Sequence, residues 1–118
     1  IPRGGGLTYT GGYTPPHERS VIVDTSRLDR IVELSAEDML ITVEAGVTWK
    51  RIHETLAPLG LRLPFFGTFS GARATVGGGL SNGALFHGTG RYGTGADIAL
   101  GLAVVLADGT LLHTGQAG

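Results

Sequence analysis

Residues 2–12 read PRGGGLTYTGG and place five glycines in eleven residues, after an arginine and around two threonines. Consecutive glycines allow neighbouring backbone N–H groups to turn inward together, which forms a concave site for an anion. Thr8 adds a hydroxyl donor and Arg3 a positive charge. The stretch lacks the Lys-Ser/Thr ending of the nucleotide-hydrolase phosphate loop and the spacing of the Rossmann fingerprint. By itself it is equally consistent with a glycine-rich surface turn.

A second tract, ATVGGGLSNG at 74–83, again combines small hydroxyl residues with glycines. Two separate backbone anion sites in one small domain suit a ligand with two phosphates, and a dinucleotide such as FAD is the natural candidate. A domain that holds a nucleotide or sugar phosphate without redox chemistry remains an alternative. So does a glycine-rich scaffold without a ligand.

Composition restricts the class of protein. The 118 residues are enough for one domain with a core, and the 21 glycines indicate many unusual backbone shapes. With one lysine and a net charge of −1, the chain lacks the basic clusters that nucleic-acid binding needs. No apolar run has the length of a membrane span, no cysteine is present, and the histidines show no zinc-ligand spacing. We therefore expect no nucleic-acid partner, no membrane span and no metal site. The sequence leaves the compartment undetermined, with a cytoplasmic location favoured.

The apolar patterns predict an α+β domain with a mainly antiparallel or mixed sheet and few helices. Thr48 is the expected N-cap of the main helix and Gly60 its terminator. Asp108-Gly109 is a strong hairpin turn. The predicted strands are 21–24, 31–34, 40–45, 98–107 and 110–113; the predicted helices are 49–59 and a short one in 75–95, followed there by a long loop.

The ordered motifs PRGGGLT, VIVDTSRLDRIVEL, TVEAGVTW, TVGGGLSNG, RYG and VVLADGTLLHTG cover almost the whole chain. Together they resemble the PCMH-type FAD-binding domain of the vanillyl-alcohol-oxidase family, which includes the FAD-binding component of glycolate oxidase, other FAD-linked oxidases and the cytokinin dehydrogenases. The resemblance implies a flavin-dependent oxidoreductase that oxidises a small organic substrate, such as a hydroxy acid or alcohol, by hydride transfer to flavin N5.

The resemblance also implies roles for particular residues. The first tract would wrap the FAD pyrophosphate, residues 67–70 would border the flavin or its ribityl chain, and the second tract would hold ribityl and phosphate oxygens. The implied FAD-binding residues are Arg3, Gly4, Gly5, Gly6, Leu7, Thr8, Gly12, Gly67, Thr68, Ser70, Thr75, Gly77, Gly78, Ser81, Asn82 and Leu85.

Two further expectations follow from the resemblance. Many relatives carry a histidine that bonds covalently to the flavin where Leu7 stands here, so FAD should be held without a covalent bond from this loop. Residues 1–118 should be a fragment that lacks an N-terminal subdomain and the substrate-binding cap domain, which makes the rest of its own polypeptide a partner. The resemblance names no catalytic residue, because in this family the residues that bind substrate and assist its deprotonation come mainly from the cap domain. His87 is the one candidate in this chain for flavin or substrate chemistry, and a structural hydrogen bond is the favoured explanation for it.

Overall fold

The computed structural model describes residues 1–64 and 69–115. These residues form six short strands, four short α-helices and two 3-10 turns. The strands are β1 (Pro2–Arg3), β2 (Val23–Asp24), β3 (Ile31–Ser35), β4 (Leu40–Val43), β5 (Gly101–Val105) and β6 (Leu111–Gly115). The helices are α1 (Trp49–Leu56), α2 (Val76–Ser81), α3 (Thr89–Tyr92) and α4 (Gly95–Ile98), and the 3-10 turns are Ala57–Leu59 and Phe69–Ala72.

These six strands form three separate two-stranded sheets. β1 and β2 run parallel, with Pro2 opposite Val23 and Arg3 opposite Asp24. β3 and β4 form an antiparallel hairpin with an irregularity between Ile31 and Glu33, and β5 and β6 form a second, regular hairpin. The α+β class with small mixed sheets and few helices is therefore confirmed.

Helix α1 forms where the sequence predicts it. The Thr48 side chain accepts a hydrogen bond from the Arg51 N–H, which caps the first turn. The α-helix ends at Leu56 rather than at the predicted Leu59, and a 3-10 turn completes the segment. Pro58 explains the early end, because its nitrogen cannot donate the hydrogen bond that would continue the α-helix.

The core of the described residues is small and aromatic. Trp49, Ile52 and Leu56 occupy the buried face of α1 and pack with Val47 and Phe86. The Trp49 and Phe86 rings meet edge to face, with centroids 4.8 Å apart. This cluster joins α1 to the segment that follows α2, and so it fixes the glycine tract at 74–83 relative to the rest of the domain.

Three predicted elements differ from the structure. The strand expected over 98–107 begins at Gly101, because a capping box between Thr94 and Asp97 starts α4 just before it. The strand expected over 21–24 pairs only at Val23–Asp24. The predicted loop within 75–95 contains the helical turn α3, and α4 begins at its last residue, Gly95.

The Asp108-Gly109 turn is confirmed. Gly109 has a φ of 86°, which favours glycine. The Thr110 N–H donates to the Asp108 carboxylate at 2.9 Å. This turn joins β5 to β6 directly.

Candidate functional site

The two glycine tracts lie in direct contact. A Cβ built on Gly4 would overlap the Thr75 hydroxyl oxygen, and one built on Gly5 would overlap the Arg73 carbonyl oxygen. A Cβ on Gly5 would also lie 3.1 Å from the Ala74 Cα. Gly4 and Gly5 thus allow the first tract to pack against the backbone that enters α2.

The first tract offers a row of free donors. Within residues 1–64 and 69–115, none of the backbone N–H groups of residues 4–8 donates a hydrogen bond to a protein acceptor. Gly6 has a φ of 68°, a left-handed conformation that a side chain disfavours. Free N–H groups in a glycine-rich turn are the structure expected of an anion-binding nest.

Arg3 places a positive charge beside this row. Its Nη1 lies 3.6 Å from an Asp24 carboxylate oxygen, and its guanidinium carbon lies 5.6 Å from the centre of the Tyr13 ring. Its Nε is buried and has no hydrogen-bond partner among the residues that the structure describes. A buried donor without an acceptor is costly, so the geometry suits a ligand oxygen at this position.

Asp24 is held in its charged form. Hydrogen bonds from Ser26 hold the pKa of the Asp24 carboxyl below its usual range, and the charge of Arg3 adds to the effect. The Ser26 backbone N–H donates to Asp24 at 2.8 Å. The carboxylate therefore balances the Arg3 charge and orients the guanidinium.

The second tract uses its own N–H groups differently. In the first turn of α2, the Val76 N–H donates to the Val47 carbonyl at 2.8 Å and the Gly77 N–H to the Ala45 carbonyl at 2.9 Å. The Gly78 N–H donates to the Thr75 hydroxyl at 3.3 Å. These three donors are already bonded within the protein, so any role of this turn toward a ligand needs other groups or a rearrangement.

A cleft of about 380 Å³ opens between the first tract and three other segments. Its walls combine arginine, carboxylate and hydroxyl side chains with glycine backbone. The lining residues are Arg3, Gly4, Gly5, Asp24, Ser26, Asp29, Gly46, Val47, Thr48, Arg51, Ala72, Arg73 and Thr75. Charged side chains of both signs therefore line the cleft beside apolar ones.

The structure brings together some of the predicted FAD-binding residues. Arg3, Gly4, Gly5 and Thr75 line the cleft. The other described ones lie outside its lining. Gly6, Leu7, Thr8 and Gly12 belong to the first tract, Gly77, Gly78, Ser81 and Asn82 belong to the second, Ser70 lies in the 3-10 turn Phe69–Ala72, and Leu85 follows the second tract. Gly67 and Thr68 lie outside the described residues.

Several of the predicted residues have partners within the protein. The Thr8 hydroxyl is 2.9 Å from that of Thr10, and the Asn82 amide donates to the Gly78 carbonyl at 2.9 Å. Leu7, Gly12, Ser81 and Leu85 are exposed, as is the alternative candidate His87. These exposed groups are accessible to a ligand or to another part of a protein.

Sequence prediction missed one wall of the cleft. Asp24 is the last residue of β2 and Ser26 follows it, Gly46 and Thr48 lie before α1, and Arg51 lies in the first turn of α1. The available signal was the DTS motif after a β-rich run: loops after parallel strands meet at one edge of a sheet. The motif is informative only when β1 and β2 are known to pair in parallel, and strands of two residues cannot be recognised from a sequence.

The family model described as "FAD binding domain" matches residues 1–115. The chain belongs to this FAD-binding family. Membership of this family makes FAD the cofactor of the chain, and the free N–H donors beside Arg3 fit the pyrophosphate of FAD.

In the residues described, no group of three or more His, Cys, Asp or Glu side chains could hold a metal ion, and no helix is long and apolar enough to cross a membrane.

Curated relatives match along nearly the whole chain. The probable mitochondrial D-lactate dehydrogenase of Danio rerio is 37% identical over 118 residues, which cover 100% of this chain and 23% of the relative. The D-lactate dehydrogenase [cytochrome] of Kluyveromyces lactis is 33% identical over 116 residues, 97% of this chain and 20% of the relative. The D-2-hydroxyglutarate dehydrogenase of Escherichia coli (strain K12) is 37% identical over 115 residues, 96% of this chain and 11% of the relative.

A solved structure of alkyldihydroxyacetonephosphate synthase superposes with a TM-score of 0.85 at 23% identity and covers 100% of this chain and 22% of that one. This likeness shows the same fold. The chain spans less than a quarter of the length of each of the proteins just named.

Proposed function

We propose that the chain is the FAD-binding part of a flavin-dependent oxidoreductase that oxidises a small 2-hydroxy acid. The observation that carries the proposal is the row of free N–H groups at residues 4–8 beside the unpartnered Arg3 Nε. The substrate class comes from the relatives, whose names describe dehydrogenases of D-lactate and D-2-hydroxyglutarate.

The first tract would hold the FAD pyrophosphate. Backbone N–H groups and a guanidinium are the donors that bind phosphate oxygens most effectively, because their hydrogen bonds to an anion are charge-assisted. The Gly6 backbone at a φ of 68° packs directly against the Arg3 guanidinium, with a built Cβ 3.0 Å from Nη2. Arg3 would therefore meet the same phosphates as the N–H groups of residues 4–8.

The second tract would contact the rest of the cofactor. Ser81 ends α2, Asn82 and Leu85 follow it, and all three are exposed. The Ser81 hydroxyl and the Asn82 side-chain oxygen would therefore be available to ribityl hydroxyl groups, and Leu85 would offer the cofactor an apolar contact. The N–H groups of Gly77 and Gly78 are bonded within the protein, so the proposed role of these two glycines is to allow close packing. FAD, when bound, supplies the acceptor for the hydride of the substrate.

The remainder of the natural polypeptide would complete the site. Every residue of β5 and β6 is exposed in this chain, and large apolar side chains such as Val105 at 70% and Leu111 at 56% face solvent. Apolar surface of this kind marks an interface. We propose that other parts of the same protein cover the hairpin and supply the substrate-binding residues.

The test uses flavin release. We expect acid precipitation of the purified natural protein to leave FAD in the supernatant, because Leu7 offers no nucleophile for a covalent link. Flavin retained in the pellet would show a covalent bond from another segment. A natural protein that yields no flavin in either fraction would overturn the proposed function. The cytoplasmic location stays a prediction, since relatives include mitochondrial proteins.

A bound FAD that no substrate reduces would favour the non-redox alternative. Anaerobic mixing with D-lactate and with D-2-hydroxyglutarate tests this point. We expect loss of the visible flavin absorption with at least one 2-hydroxy acid, whereas a spectrum unchanged by every 2-hydroxy acid would contradict the proposed substrate class.

A further inference from the structure

A third segment, which belongs to neither glycine tract, connects the two tracts. This connecting turn, residues 45–47, lies between β4 and α1. On one side, the Ala45 carbonyl accepts the Gly77 N–H at 2.9 Å and the Val47 carbonyl accepts the Val76 N–H at 2.8 Å. The connecting turn therefore holds the start of α2.

On its other side, the connecting turn is bonded to the loop after β2. The Gly46 N–H donates to the Leu28 carbonyl at 2.8 Å, and the Leu28 N–H donates to the Thr25 carbonyl at 2.9 Å. The Thr25 N–H and hydroxyl both donate to the Arg3 carbonyl, at 2.9 Å and 3.1 Å. A continuous chain of hydrogen bonds thus runs from the first tract to the second.

Gly46 is the residue that permits this connection. It is buried, and a Cβ built on it would overlap the Thr25 carbonyl oxygen and lie 2.7 Å from the Leu28 carbonyl oxygen. Both obstacles are backbone atoms, which cannot rotate away. An alanine at this position would therefore separate the connecting turn from the 25–28 loop.

We infer that Gly46 and Thr25 are positioning residues for FAD binding: they set the distance and orientation between the two glycine tracts without themselves supplying a bond to the cofactor. The inference rests on the proposed function, in which FAD contacts both tracts. A rigid spacing matters because a site that is pre-organised loses less free energy when it binds its ligand.

The experiment compares FAD affinity in folded variants of the complete natural protein. Flavin is removed, folding is verified by circular dichroism at low temperature, and FAD is titrated with flavin fluorescence as the signal. We expect Gly46→Ala to raise the dissociation constant roughly tenfold. We expect Thr25→Val, which keeps the shape but removes the hydroxyl bond, to raise it roughly fivefold.

Two controls isolate positioning from general stability. Thr25→Ser keeps the hydroxyl and should restore an affinity near that of the wild type. Gly90→Ala adds a methyl group that would meet no heavy atom within 4 Å among the described residues outside its own helical turn, and it should leave the dissociation constant unchanged. A purely structural role for Gly46 and Thr25 would lower the melting temperature while leaving the affinity of the folded protein intact.

The outcomes separate the two ideas. If the wild type binds FAD and Thr25→Val binds it equally well, the positioning inference is overturned and the proposed function stands, even where Gly46→Ala fails to fold. If the wild type itself takes up no FAD, both fall. Weaker binding by Thr25→Val together with recovery in Thr25→Ser supports the inference.

Discussion

Replacement of Gly5 by alanine tests why the first tract is rich in glycine. A Cβ at this position would overlap the Arg73 carbonyl oxygen and come within 2.8 Å of the carbonyl carbon. Added atoms in a packed site cost about 1–3 kcal/mol, and we expect the upper part of that range because the obstacle is backbone. The lower chain entropy of an alanine offsets about 1 kcal/mol, which leaves a loss of about 2 kcal/mol.

The assay is thermal unfolding of the flavin-free natural protein. About 2 kcal/mol corresponds to a fall in melting temperature of roughly 8 °C where the 118 residues unfold as one cooperative unit, and to a smaller fall where a larger unit unfolds together. The absence of flavin is essential, since any loss then comes from packing and not from the ligand.

Gly12→Ala is the matched control in the same tract. A Cβ there would meet only the Thr10 hydroxyl oxygen, at an ordinary 3.7 Å, and we expect no loss of stability. Equal melting temperatures for Gly5→Ala, Gly12→Ala and the wild type would refute the packing argument and leave phosphate access as the reason for Gly5.

Three further predictions concern the stability of the domain. Ile52→Ala should lower the free energy of unfolding by about 2–5 kcal/mol, because Ile52 is 2% exposed in the core; a denaturation midpoint equal to that of the wild type would contradict this. Met39 is 72% exposed and has a φ of 56°, a left-handed conformation that asparagine tolerates better than methionine. Met39→Asn should therefore raise the free energy of unfolding by about 0.5–1 kcal/mol. A lower melting temperature would show that the Met39 side chain stabilises the fold by more than the strain of its backbone destabilises it. Hydrogen bonds from Arg30 hold the pKa of the Glu44 carboxyl below its usual range, so the Arg30–Glu44 pair stabilises the fold above the unfolded-state pKa of about 4.3, and this stabilisation is lost as the pH falls below that value. Glu44→Gln should therefore lose less stability on acidification than the wild type. Equal acid sensitivity of the two proteins would contradict the pairing.

The local elements were largely predictable. The Thr48 cap and the spacing of Ile52 and Leu56 predicted α1, because these are interactions between residues close in the chain. The Asp108-Gly109 turn was predictable for the same reason. The predicted end of α1 at Leu59 was wrong by three residues, because Pro58 cannot donate the hydrogen bond that would continue the α-helix.

The composition of the cleft was only half predictable. Arg3 and Thr75 were identified as binding residues through the resemblance, and both line it. Asp24, Gly46 and Arg51 reach the cleft through contacts between segments distant in sequence, and no local pattern reports such contacts.

The roles of the glycines also needed the structure. The sequence suggested that they make room for phosphate oxygens, and the free N–H groups of residues 4–8 agree with that interpretation. Gly5 and Gly77, however, stand against other backbone segments. Close packing between chain segments leaves the same glycine pattern in a sequence as ligand binding does.

A crystal structure of the natural protein with FAD tests the central claim most directly. The account predicts pyrophosphate oxygens within about 3.2 Å of backbone nitrogens of residues 4–8 and of the Arg3 Nε. A pyrophosphate bound elsewhere, with the donors of residues 4–8 facing solvent, would contradict it.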